Sequence, residues 1–135
     1  MAQPGSLQFV IASLNQFAEK HIKIIALDAV ANLVEDTPRK TGWARSNWIP
    51  SIGTPARPDV SITNPEPGQV QARSAQREAG VLLVATGYKL ERGPIFITNN
   101  VPYIGRLNDG SSTQAPAGFV QSAILRAVRG AFPSS

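Results

Sequence analysis

Residues 6–35 read SLQFVIASLNQFAEKHIKIIALDAVANLVE, a run without glycine or proline. Leu7, Val10, Ile11, Leu14, Phe17, Ala18, Ile22, Ile25, Ala29 and Leu33 recur at the spacing of one helix face, so the run is expected to form a long helix. Ser6, just after Pro4-Gly5, offers a hydroxyl where an N-cap is needed. At 1.5 Å per residue such a helix is about 45 Å long. That exceeds what a domain of 135 residues needs for its own core. Ile24 and Leu27 widen the apolar stripe, which predicts that part of the helix packs on another chain. A kink near His21 to Lys23 is the alternative.

Outward from this run, Asp36-Thr37-Pro38 stops the helix, because a proline disfavours helical geometry in the residue before it. Lys40-Thr41-Gly42 reads as a turn, and Trp43 to Ile49 as a helical turn leading into a strand around Trp48 to Ile52. Pro50, Pro55, Pro58, Pro65 and Pro67 punctuate the next segment, with a Pro-rich loop at about 53–68 that leaves room for one strand at Val60-Ser61-Ile62. This loop is expected to be mobile in the free protein. A helix follows from Gln69 to about Ala85, although Gly80 weakens it and Val81 to Val84 also fit a strand. Ile95 to Thr98 is a short buried-strand candidate. Beyond Pro116, the residues Phe119, Val120, Ala123, Ile124, Ala127, Val128 and Ala131 define an amphipathic helix at about 117–131. Pro116 or Ala117 suits its first turn, and Arg126 and Arg129 suit the negative end of its dipole. The expectation is one α+β domain over residues 1–135. It has a long N-terminal helix, a small antiparallel or mixed sheet, a further helix and the amphipathic C-terminal helix.

Composition narrows the chemistry. With no cysteine there is no disulfide, thiolate nucleophile or sulfur-ligated metal. The single histidine, His21, lies between Lys20 and Ile22 in the first helix and reads as an ordinary helix residue. Neither a nucleophile elbow nor a Gly-rich phosphate loop is present, and no Asp/Glu cluster has calcium-loop spacing. No metal, cofactor or catalytic residue is therefore expected. No run is long and apolar enough to span a bilayer, and no signal peptide is read at the start. The net charge of +4 is concentrated after Pro38, in Arg39, Lys40, Arg45, Arg57, Arg73, Arg77, Lys89, Arg92, Arg106, Arg126 and Arg129. That bias suits either a solvated basic surface or a nucleic-acid contact.

Residues 99–116, NNVPYIGRLNDGSSTQAP, are rich in amides, hydroxyls and hinges. Glu66, Glu78, Glu91 and Asp109 all lie beyond the first helix; of these only Asp109 stands in such a stretch, and Asn108-Asp109-Gly110 is explained by a turn. The stretch therefore reads as a protruding loop with the Tyr and Arg of a protein-contact surface. Candidate interface residues are Trp43, Trp48, Pro102, Tyr103, Arg106, Asp109, Ser111 and Gln114.

Taken in order, Thr37-Pro38, Thr41-Gly42, Arg45, Trp48, Ile97 to Tyr103, Leu107, Gly110-Ser111, Gln114-Ala115-Pro116 and Gly118-Phe119-Val120 resemble tailed-bacteriophage neck and tail-completion proteins. These are the small head-tail joining proteins similar to minor tail protein Z of lambda-like phages. The resemblance spans roughly Thr37 to Ile124. Its most distinctive pieces are the Asn-x-x-Pro-Tyr and Ser-x-x-Gln-Ala-Pro segments at short spacing. The chain departs from the family at Arg39-Lys40, where an acidic residue is common, and at Asn108-Asp109, where Glu often precedes the glycine. The resemblance implies a virion structural protein with no catalytic step. It would form a homo-oligomeric, six-fold ring between head connector and tail tube, assembled in the host bacterial cytoplasm. Its partners would be the connector or stopper and the tail terminator or tube, with at most non-specific contact with DNA in the channel and none with membrane. The alternatives are a stand-alone basic nucleic-acid-binding domain and a tail-terminator ring.

Overall fold

The computed structural model of the chain describes residues 6–39, 42–110 and 115–132. The element order is α1 (Leu7–Asp36), α2 (Trp43–Ser46), β1 (Ile49–Ile52), α3 (Pro67–Gly87), a 3-10 turn (Leu90–Arg92), β2 (Ile95–Thr98), α4 (Ile104–Asn108) and α5 (Phe119–Ala131). The architecture is α+β, with a long N-terminal helix, a two-stranded antiparallel sheet and a C-terminal helix.

α1 is one continuous helix with no break at His21. Ser6 caps it: its hydroxyl accepts from the Phe9 N–H at 3.1 Å, satisfying one of the orphan donors of the first turn. At the other end the Thr37 N–H still donates to the Leu33 carbonyl before Pro38 halts the turn. α5 runs back along α1. Its start lies near Glu35 and Asp36, Asn32 reaches the Ala123 carbonyl at 3.1 Å, and Phe132 stacks on His21.

The sheet pairs Ile49 with Thr98, Pro50 with Ile97, Ser51 with Phe96 and Ile52 with Ile95. All four β2 residues are half-buried rather than buried, because a two-stranded sheet leaves each strand an open edge. α3 is helical throughout, including Val81 to Val84. Pro67 occupies its first turn, and the Glu66 N–H donates to Gln69 Oε1 at 2.8 Å. Gly80, read as a weak point, is instead where α3 meets β1. A methyl group there would overlap the Pro50 carbonyl oxygen.

Two clusters make the core. Leu33, Trp48 and Ala123 form one, and Trp43, Ala44 and Val101 the other, with Ile104 packed against both. Val60 and Ile62 do not form a strand. Asp59 accepts the Ser61 N–H at 2.9 Å, which commits that donor locally, and the two apolar side chains pack on the Trp43 cluster. The Pro-rich segment is further tied down through Ala56, whose carbonyl accepts from Thr98 Oγ1 and Asn100 Nδ2.

Candidate subunit-contact surface

The polar stretch after β2 is largely an internal brace. Asn99 Nδ2 donates to the Ala44 carbonyl at 2.8 Å while its Oδ1 accepts the Val101 N–H at 3.1 Å, so one side chain joins the end of β2 to α2 and turns the chain. Val101 is buried in the second core cluster. Between Tyr103 and Asp109 the chain forms α4, where the sequence suggested loop. The half-buried pair Ile104 and Leu107, three residues apart, places an apolar edge on the core.

Asn108 then serves α5. Gly118 occupies the N-cap position with φ +79° and has no side chain to cap with. Asn108 supplies the missing acceptor from a distance: its Oδ1 takes the Val120 N–H at 3.0 Å, and its Nδ2 donates to Gln121 Oε1 at 3.0 Å. Its backbone carbonyl accepts the Gly118 N–H at 2.7 Å. Pro116 thus lies ahead of the helix rather than in its first turn.

The interface candidates divide. Trp43 and Trp48 are only 2% and 5% exposed, so their area is used inside this chain rather than offered to a partner. Trp48 Nε1 donates to Thr37 Oγ1 at 2.8 Å, and Trp43 carries the Arg73 guanidinium 5.0 Å from its ring centroid. Pro102, Arg106 and Asp109 are exposed and Tyr103 is half-buried, which leaves a small polar rim around α4. Ser111 and Gln114 lie outside the described residues.

Most of the arginine excess also has internal work. Arg45 donates to the Val34 and Glu35 carbonyls at 2.6 and 3.3 Å, closing the C-terminal turn of α1. Burial, followed by the charges of Arg39 and Arg77, lowers its pKa from the ordinary guanidinium value. Arg73 bonds Asn47 Oδ1 and the Asp59 carbonyl, Arg77 bonds the Arg45 carbonyl, and Arg92 bonds the Gly87 carbonyl at the end of α3. Arg126 pairs with Asp36 at 2.8 Å. His21 donates from Nδ1 to the Phe17 carbonyl at 2.9 Å, and its ring lies against Phe17 and Phe132. Among the described residues there is no grouping of three or more His, Cys, Asp or Glu side chains placed to hold a metal ion, and no helix long and apolar enough to cross a membrane.

The feature that stands out is apolar. Every residue from Leu7 to Phe17 is exposed, including Leu7 (72%), Leu14 (61%) and Phe17 (58%), together with Phe9, Val10 and Ile11. The buried positions of α1 are Ala26, Ala29, Val30 and Leu33, all in its C-terminal half. Among the described residues, Phe132 at the end of α5 meets α1 at His21, while Glu19 accepts the Leu90 N–H and Lys23 reaches the Ala85 carbonyl. Ahead of these contacts the helix projects beyond the core by roughly 20 Å at 1.5 Å per residue. The sequence predicted that the helix is longer than its own core needs without saying where the excess lies; Ile24 is partly exposed, but most of the uncovered apolar surface is in the N-terminal turns. The signal was present in the sequence: between Ser6 and Ala18 there is no charged residue. On α5, Ile124, Leu125, Val128 and Phe132 add further exposed apolar area. No family model, curated protein or solved structure matches the chain.

Proposed function

We propose that this chain is a structural virion protein of a tailed bacteriophage. In this reading it is a neck or tail-completion component that joins the head connector to the tail tube as a six-fold homo-oligomeric ring around the DNA channel. It acts by assembly and carries no catalytic step, and its other partners are neck and tail proteins. The supporting observation is the uncharged apolar overhang Leu7–Phe17, whose surface needs a protein partner to leave water. The ordered Asn-x-x-Pro-Tyr and Ser-x-x-Gln-Ala-Pro segments supply the family part of the reading.

The nucleic-acid reading requires the arginines to form one free patch. Arg45, Arg73, Arg77, Arg92 and Arg126 are instead bonded to carbonyl oxygens and carboxylates of their own chain, which favours the assembly reading. A DNA titration against salt separates the two: the ring protein binds weakly, whereas a dedicated binder shows tight binding that falls steeply with salt. For the virion role, electron microscopy of phage lacking this protein should show tailless heads beside finished tails. Abnormally long tails would point to a terminator, and normal virions would overturn the assignment.

A further inference from the structure

We propose that the overhang Leu7–Phe17 of one copy seats in an apolar groove of the next copy, so that each subunit gives one helix end and receives another. This rests on the ring reading above and names the contact that would build it. The groove has a volume of about 360 Å³ and runs between α1, α5 and β2, lined by Ile22, Ile25, Ala29, Tyr88, Ile97 and Ile124. Because α1 itself forms one wall, the overhang of the same chain cannot reach the groove without breaking the helix. The overhang that fills it would have to be another copy's.

Three properties of the two surfaces point to a second copy. Neither surface brings a charge to the contact, since residues 7–18 carry none and the groove lining has none, so no ion is desolvated on docking. Leu7, Val10, Leu14 and Phe17 make a stripe at the spacing by which an amphipathic helix anchors in a groove. Phe9 points away from that stripe; taking roughly 100 Å² for each of the other five large, partly exposed side chains gives about 500 Å² on the donor side. That is somewhat over half the ~800 Å² per partner of a stable interface, and each subunit would make the contact twice, once as donor and once as acceptor. A membrane surface is the poorer occupant, because interfacial helices draw on Lys and Arg along their polar face and this segment has neither. Donor and acceptor surfaces differ, so the contact is heterologous, the type that closes rings by rotation.

The absence of cysteine makes the test direct. Leu14→Cys marks the donor helix and Ile124→Cys the groove; both positions are exposed, so both variants should fold and melt like the wild type. On oxidation, a mixture of the two single variants should give a covalent dimer containing one of each. Either variant alone should give at most a trace, and the double variant a ladder of linked subunits. Self-linking of Leu14→Cys alone would overturn the proposal in favour of helix-to-helix pairing. Absence of the mixed dimer while light scattering shows an oligomer would overturn the groove but leave the ring. A protein that is monomeric at every concentration would remove both. Co-flotation of the monomer with phosphatidylcholine–phosphatidylglycerol vesicles would overturn the proposal in favour of a lipid surface.

Discussion

The Thr37 hydroxyl donates to the Leu33 carbonyl and accepts the Trp48 indole N–H, so one buried oxygen ties the end of α1 to the start of β1. Thr37→Val keeps the shape but strands the indole N–H, and a stranded buried donor costs on the order of 1–3 kcal/mol. Denaturant unfolding should show a loss in that range; no loss would mean that the bond contributes nothing. Asn108→Ala removes the only side-chain acceptor described at the start of α5 and should cost about 1 kcal/mol, whereas Asn108→Asp, which keeps the acceptor, should stay close to wild type. Equal losses for the two variants would contradict the capping role. Asp59 titrates below the usual carboxylate value, chiefly because it accepts the Ser61 backbone N–H and also a bond from the Ser61 side chain. With the folded pKa depressed, the ionised form favours the native loop above the unfolded pKa, and that preference is lost as pH falls through the folded value. The Ser61 amide resonance should therefore titrate with a midpoint below about 3.9; a midpoint at or above that value would show that the bond is not made in solution.

At the scale of elements, α1 and α5 follow from periodicity because their apolar positions repeat over several turns and their ends carry clear stops. α4 and the irregular course of Val60 to Ile62 do not, because each depends on neighbours distant in the chain. A one-turn helix has too few residues to show a period, and Val60 and Ile62 are placed by Trp43 rather than by a partner strand. Gly80 misled for the same reason: propensity registers a helix-weakening residue, while the cause of the glycine is the Pro50 carbonyl beside it. Gly80→Ala should therefore lower the melting temperature, although helix propensity alone predicts a gain of about 1 kcal/mol. A more stable variant would mean that α3 and β1 are not in contact. The tryptophans were legible as large apolar area, but not as core rather than interface. Deciding that required the Thr37 acceptor and the Arg73 guanidinium, which approach from other elements.

For the whole molecule, the fold buries the C-terminal half of α1 and leaves the other half uncovered, and the account turns on that asymmetry. An exposed charge introduced at Leu14 should hardly affect the monomer, because the side chain is largely exposed there, yet it should weaken assembly. Leu14→Glu is accordingly expected to melt like wild type as an isolated subunit and to shift the assembly equilibrium at least tenfold toward monomer. A matching loss of monomer stability would show that the overhang packs within its own chain. The central claim is that this chain assembles with itself, and light scattering across a wide concentration range tests it most directly. The account predicts a closed oligomer of one stoichiometry, six, whose proportion rises with concentration. A monomer at every concentration, and in assembled virions, would contradict it.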